Sequence, residues 1–104
     1  MPGGKSSRDK GGRGERELAK LLGGERVPLS GAQGGSFKGD VIIPYIGTGE
    51  CKWRKNGFVQ LYNWLDEKDF LALRADRHEW LIVMRAKDLK LLLDEIDELK
   101  RGAK

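Results

Sequence analysis

The sequence predicts an α/β domain in which one central mixed β-sheet is flanked by helices. Three observations lead there. Apolar residues recur at helical spacing near 13–22, 58–75 and 88–101. Residues 40–43 are rich in β-branched residues and 79–84 are a continuous apolar run, each bounded by turn residues, and 50–54 returns as the second strand of a hairpin begun at 40–43. These segments, with a short extended stretch at 26–29, follow one another as α, β, β, β, α, β, α. At 104 residues the chain suits one domain, read as 13–104, and residues 1–12 precede it as a flexible basic arm.

Each element has a local cause. Residues 1–12 are rich in Gly, Ser, Lys and Arg and lack apolar periodicity. From Arg13, Leu18, Leu21 and Leu22 share a helical stripe, which Gly23 and Gly24 stop. Pro28 holds the residue before it in an extended conformation. Residues 30–39 hold four glycines and no hydrophobic pattern, so a loop is expected. Asp40-Val41-Ile42-Ile43 and Glu50-Cys51-Lys52-Trp53-Arg54 read as the two arms of a hairpin turning through 44–49. Asn56-Gly57 ends it. Phe58, Leu61, Tyr62, Leu65, Phe70, Leu71 and Leu73 then suggest a helix to about Ala75, with an interruption near Asp66. Residues 79–84 form a continuous apolar strand, expected inside the sheet. Leu89, Leu92, Leu93, Ile96 and Leu99 stripe a closing helix. That stripe suits either the monomer core or a second copy.

Composition narrows the function class. Hydrophobic residues make up 38% and charged residues 35%, and no apolar run is long enough to span a membrane. Lys5, Arg8, Lys10 and Arg13 have no apolar segment behind them, so no secretory signal is expected and a cytoplasmic protein is. Cys51 is the only cysteine, which removes any disulfide framework. A net charge of +4 and a pI near 9.3 favour a polyanionic partner. A domain of this size would also gain from a partner subunit.

The chemistry concentrates at Asp40, Glu50 and Lys52. With the hairpin centred near Tyr45, Asp40 and Glu50 stand opposite each other, about 5 Å apart at Cβ on one face. Alternation places Lys52 on that face and turns Cys51 and Trp53 to the other. Two carboxylates so placed suit Mg²⁺, with Mn²⁺ as substitute, completed by phosphate oxygen and the Cys51 carbonyl. The metal would polarise a phosphodiester and acidify water, and Lys52 would hold that water or neutralise transition-state charge. The plainer alternative is a solvated sheet face with a cross-strand ion pair.

The order Lys10-Gly11, Glu15-Arg16-Glu17-Leu18, Arg26, Ser30-Gly31, Gly39-Asp40-Val41-Ile42 and Glu50-Cys51-Lys52 resembles the archaeal-type Holliday-junction resolvases and their phage relatives, in the PD-(D/E)xK nuclease superfamily. It covers about the first half of the chain. The resemblance implies a restriction-endonuclease-like αβββαβ core plus the C-terminal helix, and Mg²⁺-dependent cutting of opposed strands in a four-way DNA junction by a homodimer. It carries catalytic roles to Glu15, Ser30, Asp40, Glu50 and Lys52, with Glu15 joining Asp40, Glu50 and Cys51 at the metal. Glu17 remains a rival to Glu15; the two lie about 200° apart on a helix. Leu18 and Leu22 share the face of Glu15 and favour it. The alternatives are a nuclease for flaps, nicks or duplex DNA, and a non-catalytic basic DNA-binding protein.

Arg8, Lys10, Arg13 and Arg16 are candidates to follow phosphates, as are Arg26, Lys38 and Lys55. Arg74 and Arg77 could extend that footprint. Phe37 is read first as an apolar plug, Gln60 as solvent-facing, and Trp64 and Trp80 as core or dimer-contact residues. His78 has no Cys or His partner and is given no metal role. Cys51 reads as a packing residue.

Overall fold

The computed structural model describes residues 3–27 and 40–102, with side chains at 12–27 and 41–102. The chain is α/β, with three helices and two small antiparallel sheets among the described residues. It divides into two compact units, Met1–Trp53 and Arg54–Lys104. Among the described residues no helix is long and apolar enough to cross a membrane.

The first unit begins with helix α1, Gly3–Leu22. It starts ten residues before the apolar stripe does and takes in most of the segment expected to be a flexible arm. Extending a helix adds one hydrogen bond per residue without a new nucleation cost, so a packed second half carries a polar first half. Glu15, Ala19 and Leu22 form its buried face, and Leu21 is exposed. The helix ends where the glycines predict: Gly23 has φ 74°, and the Gly24 N–H donates to the Ala19 carbonyl at 2.8 Å, a Schellman closure.

Strands β1, Glu25–Arg26, β2, Asp40–Ile43, and β3, Gly47–Glu50, form an antiparallel sheet in the order β1-β2-β3. Val41 and Ile43 are buried while Ile42 is exposed, the alternation of a strand with one covered face. The Ile46 N–H donates to the Ile43 carbonyl at 3.1 Å and Tyr45 takes φ 70°, so 44–46 make the turn. The second arm is therefore Gly47–Glu50, earlier than the expected 50–54; residues 51–54 carry no ladder.

The second unit departs further from expectation. Helix α2 is only Val59–Leu65, and β4, Phe70–Leu73, follows where the sequence pattern predicts more helix. Phe70, Leu71 and Leu73 satisfy a helical and an alternating pattern equally. What decides is the break before them: Glu67 has φ 63° and the Lys68 N–H caps Leu65 at 2.9 Å. Arg85 then donates to the carbonyls of Lys68 at 2.7 Å and Leu65 at 3.0 Å, satisfying acceptors that a helix end leaves open.

Among the described residues strand β4 pairs only with β5, Leu81–Met84, from Phe70↔Met84 to Leu73↔Leu81. The expected single mixed sheet is thus two antiparallel ones, and β5 is not an internal strand: Leu81 and Ile82 are exposed, as is Trp80. Helix α3, Ala86–Gly102, buries Leu93 but leaves Leu92, Ile96 and Leu99 exposed.

Two adjacent glycines should behave differently. A Cβ on Gly24 would fall 2.1 Å from the Ile42 carbonyl oxygen, whereas one on Gly23 meets nothing within 4 Å. Gly24→Ala should cost about 3 kcal/mol, an overpacking penalty against backbone, and Gly23→Ala about 1 kcal/mol for its φ alone. Urea denaturation of the two variants checks the order.

Candidate active site

Register builds the site. Asp40 pairs with Glu50, Val41 with Gly49 and Ile42 with Thr48. Directly opposed residues share a face, so positions 40 and 50 belong with exposed Ile42, opposite the face of buried Val41 and Ile43. Lys52 lies beyond the ladder, and its Nζ meets Glu50 Oε2 at 2.6 Å with both side chains more than half exposed. The Lys52 hydrogen bond, and then its charge, hold the Glu50 carboxyl below its ordinary value.

The other face carries a second group. Arg26 pairs with Val41, so its guanidinium points toward α1. There Nε donates to Glu15 Oε1 at 3.0 Å and Nη2 approaches the same oxygen at 2.9 Å. Glu15 is the one buried charged residue among those described; a carboxylate in that position requires a fixed cation, and a guanidinium supplies it with directional donors. Cys51 is half-buried. Burial pushes its thiol up, and the negative charges of Glu15 and Glu50 push it further, which keeps it protonated and unsuited to nucleophilic attack.

Trp53, itself partly exposed, lies against α1 on this face. A Cβ on Gly14 would lie 3.1 Å from Trp53 Cε3, and the Arg13 guanidinium sits 5.2 Å from the ring centroid.

No protein-family model, curated protein or solved structure matches the chain.

The structure therefore brings Glu50 to Lys52 and sets position 40 across from them. Glu15 is joined to Arg26 behind the sheet. Among the described residues no group of three or more His, Cys, Asp or Glu side chains is placed to hold a metal. Glu17 and Arg16 are exposed on α1, Arg13 is engaged with Trp53, and Lys55 is exposed in the second unit. Arg8 and Lys10 lie within α1. Ser30, Phe37 and Lys38 fall outside the described residues, as does the side chain of Asp40. The Glu15–Arg26 pair, eleven residues apart, has no local signature in the sequence, because neither residue type nor spacing identifies a partner reached through strand register.

Two outcomes follow. Lys52→Ala should raise the Glu50 carboxyl back toward its ordinary value, read by carbon-13 NMR titration. Because the folded value is lowered, whatever this pair adds to stability is present above the ordinary carboxylate range and lost as pH falls through the folded value. Arg26→Ala strands a buried carboxylate and should destabilise the fold by roughly 2 kcal/mol, measured by thermal unfolding.

Proposed function

We propose that the chain is a Mg²⁺-dependent, structure-selective DNA endonuclease that hydrolyses phosphodiesters in opposed strands of a four-way junction. The observation that carries this reading is the register of Asp40 on Glu50 with the Lys52 ammonium 2.6 Å from the Glu50 carboxylate. Hard oxygen donors at paired positions of adjacent strands, of which Glu50 is exposed, fit Mg²⁺ or Mn²⁺, which asks for one or two carboxylates and takes its remaining ligands from water and phosphate. The bound ion supplies positive charge that polarises the scissile phosphate and acidifies the attacking water.

The chain's own residues do the rest. Asp40 and Glu50 set where the phosphate docks, and the Cys51 carbonyl lies between Glu50 and Lys52 in sequence, where a third oxygen would be needed. Lys52 orients the water and neutralises charge as it grows on the phosphorane. Glu15, paired with Arg26 on the face opposite positions 40 and 50, fixes the inner face of β2 and takes no part in holding the metal, a correction to the role the resemblance gave it. Ser30 positions the scissile phosphate. Basic residues Arg8, Lys10, Arg13 and Arg16 on α1, with Lys38 and Lys55, contact backbone phosphates. The arrangement of α1, β2 and β3 is taken as the start of a restriction-endonuclease-like core. A second copy covers the exposed apolar residues of the second unit and presents two sites to a substrate of approximate two-fold symmetry.

The exposed Glu50–Lys52 pair favours one rival, a basic protein that binds DNA and does not cut it. A labelled four-way junction with Mg²⁺, with EDTA, and beside a linear duplex of the same sequence separates the readings. Metal-dependent cutting of the junction in preference to the duplex is expected; equal cutting of both points to a duplex or flap nuclease, and salt-sensitive binding with no nicking to the rival. Asp40→Asn or Glu50→Gln should abolish cleavage and leave junction binding within about threefold. Lys52→Ala should lower the rate more than the affinity.

A further inference from the structure

Lys52 is placed by a stretch of chain that has almost nothing of its own to hold it. The β3 ladder stops at Glu50, and residues 51–54 have neither strand nor helix hydrogen bonding. An exposed lysine on such a segment would ordinarily sample many positions, since its side chain loses rotamer freedom only against compensating contacts. Its ion pair with Glu50 is solvent-exposed, and such pairs hold little by themselves.

The residue after it is anchored. Trp53 rests its six-membered ring on α1 at Gly14, so closely that a Cβ there would be 3.1 Å from Cε3. The Arg13 guanidinium covers the same indole at 5.2 Å. Lys52 meets Glu50 while the next residue, Trp53, lies against α1 at Gly14, so pinning Trp53 to α1 restricts Lys52 to the neighbourhood of Glu50. Helix α1 is itself tied to β1 through Glu15 and Arg26, and β1 to β2 by backbone pairing. Two anchors on a rigid frame, the Glu50 ladder pair and the Trp53 seat, thus bracket Lys52.

We propose that Trp53, seated on Gly14 beneath Arg13, is the positioning residue that holds the Lys52 ammonium beside Glu50 for the reaction. This rests on the nuclease reading above. Misplacing a reacting group by about 1 Å can cost about a hundredfold in rate, so the seat should matter to turnover more than to substrate binding.

The test uses the full chain with a four-way junction and Mg²⁺, together with amide hydrogen exchange. Trp53→Ala should speed exchange at residues 51–54 by about tenfold while the β2–β3 ladder stays protected. It should lower kcat by at least about tenfold with KM within about threefold, and Trp53→Phe should restore most of the loss. Gly14→Leu fills the seat with a better helix former, so the same fall in kcat there cannot come from melting α1. If Trp53→Ala also loses protection in the β2–β3 ladder, Gly14→Leu and Trp53→Phe decide the matter. Unchanged exchange at 51–54 overturns the clamp, and faster exchange with unchanged kcat overturns its role in positioning. A wild-type chain that binds the junction and never cuts it rejects the nuclease reading itself, by a result in which the variants take no part.

Discussion

The structure of the first unit depends on the register of one short hairpin. The turn at 44–46 closes on the Ile43 carbonyl, and from it every pair back to Asp40↔Glu50 follows. The side-chain period of a strand is two, so a slip of one residue would send Val41 and Ile43 out to water and bring residue 40 against α1. Burial of those two side chains therefore specifies, at no further cost, which face the acidic positions occupy. The chemistry proposed for the chain is placed by the same apolar contacts that fold it.

The opposite face solves a different problem. Glu15 stands in the buried row of α1 with Ala19 and Leu22, a position where an unpaired charge would be strongly unfavourable. Arg26 answers it from β1, four residues beyond the end of that helix by way of the Gly23-Gly24 reversal. A hydrophobic pair could fill the same space with equal or greater stability. What the ion pair adds is direction: two donors on one oxygen admit few alternative alignments of β1 on α1.

Much of the first unit was legible because its determinants are local. Gly23 and Gly24 mark a stop whose geometry is glycine-specific, and the symmetric spacing of Asp40 and Glu50 about Tyr45 is enough to place them opposite each other. The helix limits were not, because the polar first half of α1 is carried by packing further along. The second unit misled for another reason. Phe70, Leu71 and Leu73 fit two periodicities, and only the left-handed Glu67 and the Arg85 cap at the end of α2 settle which applies. Trp53 was legible as facing away from Lys52, but its seat on Gly14 required knowing where α1 lies. The partner of Arg26 was illegible on the same ground.

The two-stranded sheet has a further implication. Among the described residues each of β4 and β5 has a neighbour on one side only, and Leu81 and Ile82, with Trp80 just before them, leave β5 apolar and without the charged residues that discourage edge-to-edge association. The short loop before it draws its own guanidinium inward, Arg74 Nε donating to the His78 carbonyl at 2.9 Å while its charge lies over the Trp80 ring. That margin consequently offers an unguarded edge to a neighbouring chain under crowding, and an outward lysine on it would discourage such pairing.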